Sequence, residues 1–214
     1  MEASLTTELR RLFAGEPEHT VTARRRAAAA RPPDPELGAL LRWAVRSIGA
    51  RAVVEVGAAG GVSGAWIVPE LPERGVLTSI EADPHAHGLA TDAFEAMHAG
   101  ARVRAILGDP ESVLDRLSDG AYDLVLLQST PALSPALLAH AGRLLRTGGL
   151  LVVRQVAQDG QHAEAIALGL QQLADDARFT TVLLPLDGGL LLATAGSAPS
   201  GGSDRTSTAS SSAG

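Results

Sequence analysis

The chain has 214 residues, 45% hydrophobic and 20% charged, with a formal net charge of −6, no cysteine, and arginine at all 18 Lys+Arg positions. That length suits one domain with a full core, and the acidic balance argues against a nucleic-acid coat, which needs excess positive charge. Without cysteine there is no disulfide framework, thiol nucleophile or thiolate zinc site; without lysine there is no Schiff base, Walker A lysine or lysine general base.

In chain order, Leu5, Leu9, Leu12 and Phe13 give a weak helical signal, and an Arg/Ala-rich stretch with Arg24, Arg25 and Arg26 follows. Pro32, Pro33 and Pro35 close that stretch, so residues 1–33 read as an N-terminal helical arm, its arginine run a solvated charge run. Glu2, Thr6, Thr7 and Glu8 stand where a secretory signal would be apolar, and no apolar run approaches the ~20 residues that span a bilayer. The expectation is a soluble cytoplasmic protein that partners neither membrane nor nucleic acid.

From Asp34 the pattern becomes regular. Asp34-Pro35-Glu36 reads as an N-cap, a proline at the first helical position and an early acid, ahead of Leu37, Leu40, Leu41, Ala44, Val45 and Ile48 at helical spacing. Apolar runs suited to strands follow at Ala52–Gly57, Val76–Ile80, Val103–Leu107, Asp123–Leu127, Leu150–Val153, Thr180–Leu184 and Leu190–Ala193. Helical patterns separate most of them, at Pro84–His98, Glu111–Leu117, Pro135–Arg146 and Gln161–Asp175. Continuous apolar strands alternating with helices indicate a parallel sheet covered on both faces. The link Pro185-Leu186-Asp187-Gly188-Gly189 is too short for a crossover helix, so the last two strands form an antiparallel hairpin. The expected fold is α/β: a Rossmann-like, doubly wound, seven-stranded sheet over residues 34–195, followed by a disordered tail at 196–214.

Ligands of open α/β sheets bind at the carboxyl ends of the strands. Here the first strand runs into Glu55-Val56-Gly57-Ala58-Ala59-Gly60-Gly61-Val62-Ser63-Gly64. A dinucleotide fingerprint counted from Gly57 fails at Ala59 and Val62, and a short-chain dehydrogenase needs a Tyr/Lys pair that this chain cannot supply. The second strand ends in Ile80-Glu81-Ala82-Asp83-Pro84, where the Glu81 carboxylate can accept both hydroxyls of a ribose, or, in the blander reading, merely start the next helix with Asp83 as its cap.

This turn resembles motif I of class I S-adenosylmethionine-dependent methyltransferases. Together VVEVGAAGGVSG, GVLTSIEADP, YDLVLL and LLRTGGLLVV resemble the catechol O-methyltransferase-like family, in particular the small bacterial O-methyltransferases related to the caffeoyl-CoA enzymes, over about Pro33–Thr194. The resemblance implies S-adenosylmethionine as cofactor and a small-molecule methyl acceptor, in a homodimer. It places Glu81 on the ribose, Ser63 and the Gly57 loop with Ala58 and Gly61 on the methionine carboxylate, and Glu55 near the amino group. Asp109-Pro110 would border the adenine, Pro33 would give a backbone contact, and Gln128 would face the cofactor. Ala59 replaces a glycine common in relatives and should narrow the turn without abolishing binding.

The family's metal site is rewritten. Relatives ligate a divalent cation through an Asp after the fourth strand and an Asp-Asn pair after the fifth, with a lysine base nearby. Here the fourth strand ends Gln128-Ser129-Thr130-Pro131, with Gln128 at the ligand Asp and Pro131 at the lysine, and the fifth ends Val153-Arg154-Gln155. The expectation is no metal and no assigned catalytic base, hence either a metal-independent O-methyltransferase or a non-catalytic cofactor-binding relative. Asp159 and His162 read as a loop acid and a helix-start residue or, less simply, as an acid/base pair. His85 and His87 do not share a helical face, and His19, His98 and His140 are isolated.

Overall fold

The structure, a computed structural model, describes residues 5–13, 15–128, 134–157 and 163–196. Ser129, Thr130, Pro131, Asp159, His162 and the tail beyond Gly196 lie outside the described residues.

The elements run α1 (Leu5–Phe13), α2 (Glu18–Arg26), α3 (Pro35–Ser47), β1 (Ala52–Val56), α4 (Val62–Ile67), β2 (Val76–Glu81), α5 (Pro84–Ala96), β3 (Val103–Leu107), α6 (Pro110–Leu114), β4 (Tyr122–Leu127), α7 (Pro135–Leu144), β5 (Leu145–Val153), α8 (Ala163–Asp175), β6 (Phe179–Leu184) and β7 (Leu190–Ala195). The seven strands form one sheet in the order β3-β2-β1-β4-β5-β7-β6. β7 pairs antiparallel to β5 and to β6, and the other pairs are parallel, as the short 185–189 link requires.

Side-chain alternation splits the apolar strands between two cores. Val53, Leu77, Leu124, Leu126 and Val152 pack under α3, α4 and α5. Val54, Val56, Ile80, Val125, Leu127 and Val153 pack on the other face with α6, α7 and α8. The helix starts follow their capping chemistry. Asp34 Oδ1 accepts from Leu37 N–H at 2.8 Å, Asp83 Oδ1 from Ala86 N–H at 2.7 Å and Ser134 Oγ from Leu137 N–H at 3.0 Å, each just before a proline at the first helical position.

Two elements depart from the pattern read in the sequence. The helical pattern through Arg146 is cut at Leu144, because Leu145 turns extended and pairs with Tyr122 before residues 146–149 bulge out and Leu150 pairs with Leu124. Gly148, at φ +80, makes that excursion possible. α6 begins one residue earlier than the pattern, since Asp109 caps it through Ser112 N–H at 2.9 Å.

Ahead of Asp34, α2 is joined to the domain. Ala23 and Ala27 pack with Val62, Trp66 and Ala93, and the His19 ring lies 3.2 Å from the Ala65 carbonyl oxygen. α3 is held against α4 at Gly38, where an added Cβ would fall 2.2 Å from the buried Trp66 indole. Gly38→Ala should therefore destabilise the fold by about 1–3 kcal/mol through overpacking, seen as a lower urea midpoint at unchanged m-value.

Candidate active site

The turn after β1 reverses the chain through left-handed backbone. Gly57, Gly60 and Gly61 have φ of +83°, +65° and +82°, and Ala59 sits at +45°. For a non-glycine residue that conformation costs on the order of 1–2 kcal/mol, which gives the physical reason a glycine would suit position 59. Gly61 also allows close approach of α5, where an added Cβ would lie 2.9 Å from Ala93 Cβ. On the opposite side the segment after α2 lies over the turn, since a Cβ on Gly60 would reach Ala27 Cβ at 2.3 Å.

A cavity of about 350 Å³ opens between this turn and the N-terminal segment. Arg26, Ala27, Ala29 and Arg31 line it from the segment before α3, and Gly57, Ala59, Glu81 and Asp83 from the ends of β1 and β2. α5 contributes His85, Ala86 and Leu89, and the ends of β4 and β5 contribute Gln128, Arg154 and Gln155. It stands at the carboxyl edge of the parallel strands, and its volume is at the lower end of the range for small-molecule sites.

Glu81 occupies the end of β2 and ties three backbone donors together. Its Oε2 accepts from Ala58 N–H at 2.9 Å, and its Oε1 from Ala82 N–H at 2.9 Å and Asp83 N–H at 3.1 Å. A carboxylate offers about four lone-pair sites, so further acceptance remains toward the cavity that this residue lines.

Between the two halves of the cavity runs a buried polar chain. Ser63 Oγ donates to Glu55 Oε2 at 2.5 Å and accepts from Gln128 Nε2 at 2.8 Å. Gln128 Nε2 also donates to the Gly57 carbonyl, and Gln128 Oε1 accepts from Arg154 Nη1. Arg154 then meets Asp187 in a two-pronged pair, Nε to Oδ2 at 2.6 Å and Nη2 to Oδ1 at 3.0 Å, while Nη2 lies 3.4 Å from the Arg31 carbonyl oxygen. Arg154 is 1% exposed, so the Asp187 carboxylate offsets a desolvation cost of several kcal/mol. Asp187 comes from the β6–β7 link, which is latched to the strand-five exit by Val156 N–H to Gly189 O and Ala157 N–H to Gly188 O, both at 3.0 Å.

The metal site of the resembled family does not fit these residues. The oxygen of Gln128 that would ligate a cation is turned to a guanidinium, and Arg154 puts a permanent positive charge beside it. No group of three or more His, Asp or Glu suited to a metal occurs among the described residues.

Of the residues expected to hold a cofactor, Gly57, Glu81 and Gln128 share the cavity lining. Glu55, Ala58, Gly61 and Ser63 are buried and do not line it, and neither does buried Pro33. Ala58 presents its N–H to Glu81, while Ser63 has its hydroxyl committed between Glu55 and Gln128. The Asp109-Pro110 turn does not line the cavity but flanks Glu81, since Leu107 pairs with Glu81 and Gly108 N–H donates to Glu81 O at 2.9 Å. The lining residues Arg26, Ala27, Ala29 and Arg31, and Asp187 behind Arg154, carried no signal in the sequence beyond an arginine run and a turn.

The reversed final hairpin on a parallel sheet, with a cavity over the glycine turn and an acid at the end of β2, is the Rossmann-like arrangement of methyltransferases. The sequence model of the O-methyltransferase family matches residues 16–195. A protein of Mycobacteroides abscessus whose name places it among O-methyltransferases is 42% identical over 191 residues, covering 84% of this chain and 89% of that one. A solved protein of Corynebacterium glutamicum shares 26% identity at a TM-score of 0.78, covering 89% of this chain and 97% of that one. An O-methyltransferase from Bacillus cereus, solved in complex with SAH, shares the fold at a TM-score of 0.79 and 19% identity, covering 90% and 97% of the two chains. The chain belongs to the O-methyltransferase family.

Burial pushes the Glu55 carboxyl up to about 7 from its ordinary 4.5, a rise opposed first by the Ser63 hydroxyl. Glu55 Oε1 is buried without a hydrogen-bond partner among the described residues, consistent with a group that resists ionisation. A folded-state value above the unfolded one means that the folded chain keeps a proton the unfolded chain has released. The stabilisation is complete below about 4.5 and lost as pH rises to about 7. Glu55→Gln should flatten this dependence, worth at most about 3 kcal/mol, in urea denaturation compared at about pH 5 and about pH 8.

Proposed function

We propose that the protein transfers the methyl group of S-adenosylmethionine to an oxygen of a small molecule, without a divalent metal. The observation that carries this reading is the shared cavity of the left-handed Gly57–Gly61 turn and the Glu81 carboxylate, at the strand ends where a nucleoside cofactor sits. The structure of the B. cereus family member with SAH supports the choice of cofactor.

When bound, S-adenosylmethionine supplies a methyl carbon activated by its sulfonium. Glu81 has one lone-pair site left, on Oε2, for a ribose hydroxyl, and the turn lets backbone approach the methionine end closely. Ser63 and Glu55 are tied to the turn through Gln128, which donates to the Gly57 carbonyl, and Pro33 would give a backbone contact to the methionine end. The Asp109-Pro110 turn is the flank on which the adenine would rest, next to Glu81. The acceptor falls to the remaining lining at the ends of β4 and β5. In-line displacement needs chiefly position, so a preorganised cavity supplies much of the rate.

Metal independence is supported by the residues that fill the ligand positions: Gln128 and Arg154 satisfy each other rather than a cation. A homodimer is part of the same reading, supported by the exposed apolar stripe Leu5, Leu9, Leu12 and Phe13 on α1 and by exposed Trp43 and Leu183. A cytoplasmic location accords with an intracellular methyl donor; no helix among the described residues is long and apolar enough to cross a membrane. The non-catalytic alternative has no specific observation in its favour.

Glu81→Ala should weaken S-adenosylmethionine binding by about 1–3 kcal/mol in titration calorimetry, and unchanged affinity would remove the ribose assignment. Excess EDTA should leave the rate of methyl transfer unchanged; a Mg²⁺ requirement restored by adding the ion would overturn metal independence.

A further inference from the structure

The peptide between Gly57 and Ala58 is held at both ends. Its carbonyl accepts from Gln128 Nε2, and its N–H donates to Glu81 Oε2 at 2.9 Å. A trans peptide points these two groups in opposite directions, so its plane reaches from the end of β4 to the carboxylate at the end of β2. Glycine permits the φ of +83° at Gly57 without enforcing it, which leaves the two side chains to set that plane.

Which way the Gln128 amide faces is decided by Arg154. With Oε1 on the guanidinium, Nε2 reaches the Gly57 carbonyl and Ser63 Oγ. Turned over, the amide would set its NH2 against the guanidinium, donor against donor, and its oxygen against the Gly57 carbonyl, acceptor against acceptor. Only the first orientation gives the turn a donor. Asp187 fixes the plane of the guanidinium in its turn, taking Nε at 2.6 Å and Nη2 at 3.0 Å on its two oxygens. Asp187 does not line the cavity. Arg154 and Glu81 stand at strand ends separated by β4 and β1, roughly 14 Å apart at the usual strand spacing, so the route from Asp187 to Glu81 runs through this hydrogen-bonded chain. Asp187 and Gln155 both adopt left-handed backbone, φ +51 and +55, which persists where surrounding structure imposes it and gathers at functional sites.

We infer that Asp187 is a positioning residue for the cofactor: through Arg154 and Gln128 it fixes the Gly57–Ala58 peptide and with it the Glu81 carboxylate, so that the affinity for S-adenosylmethionine is set in part from the final hairpin. The inference rests on the proposed cofactor site and names a residue outside the cavity that governs it. While Ala58 N–H holds Glu81 Oε2, the lone pair left on that oxygen keeps one direction. When the guanidinium shifts, the amide is released, the peptide can turn, and Glu81 loses that donor. An ion pair with a purely structural role would hold the hairpin to the strand-five exit and leave Glu81 as it is. Backbone bonds from Val156 N–H to Gly189 O and from Ala157 N–H to Gly188 O already hold it there.

The test is a double-mutant cycle on the full chain, read as the Kd for S-adenosylmethionine in titration calorimetry. Asp187→Asn, whose amide can answer only one prong of the guanidinium, should raise Kd about tenfold. In a Glu81→Ala chain the same substitution should raise it less than threefold, because the carboxylate through which Asp187 acts is gone. An unchanged Kd in Asp187→Asn, or the same tenfold rise with and without Glu81, would overturn the inference. Arg154→Leu combined with Asp187→Leu exchanges the buried ion pair for apolar side chains, an exchange that generally keeps a protein folded, and so decides the matter even where Asp187→Asn does not fold. Its urea midpoint should be no lower than that of the unaltered chain while its Kd rises about tenfold, a rise that again shrinks below threefold without Glu81. Unchanged affinity in this variant would overturn the inference and leave the cofactor site standing. Failure of the unaltered protein to bind S-adenosylmethionine would instead overturn the methyltransferase reading, and this inference with it.

Discussion

A guanidinium sealed from water has to be answered by an anion, and in this protein that requirement organises the upper edge of the sheet. Arg154 sits at the end of β5 and its answering carboxylate, Asp187, arrives from the link between β6 and β7. To bring the two together the chain accepts left-handed backbone at Gln155 and Asp187 and latches Gly188 and Gly189 to the strand-five exit. The same guanidinium fixes the amide of Gln128, whose two donors then secure the Gly57 carbonyl and Ser63. The glycine turn and the final hairpin, at the two ends of the domain sequence, are in this way parts of one hydrogen-bonded unit.

The two halves of the cavity differ in kind. The half over β1 and β2 relies on backbone shape and one carboxylate, a solution that tolerates Ala59 at the expense of some strain. The half over β4 and β5, where members of the resembled family carry hard oxygen ligands, holds amides and a compensated cation, as the residues there lead one to expect. A divalent ion and a guanidinium both offer positive charge to an oxygen, but here the guanidinium is already answered by Asp187 and Gln128.

How much of this was visible in the residues alone depended on the range of the interaction. The seven strands, the antiparallel end and the caps at Asp34 and Asp83 follow from local periodicity and short-range chemistry, so they were legible. The end of α7 was not, because the pairing of Leu145 with Tyr122 is a tertiary event that outweighs helical spacing. In the site, Gly57, Glu81 and Gln128 could be placed through motifs at strand ends. Asp187 could not: within Leu186-Asp187-Gly188-Gly189 it reads as a turn residue, and nothing local connects it to an arginine 33 positions earlier. Arg31 and Ala27 were hidden for a similar reason, since a roof is defined by what lies beneath it.

The place of Asp187 in the chain gives the Arg154–Asp187 pair a further meaning. Every described residue that lines the cavity lies between Arg26 and Gln155, whereas the carboxylate that makes Arg154 tolerable in its buried position comes from further along the chain. Domains generally fold as units, so Asp187 answers Arg154 in the same event that seats the terminal hairpin against the strand-five exit.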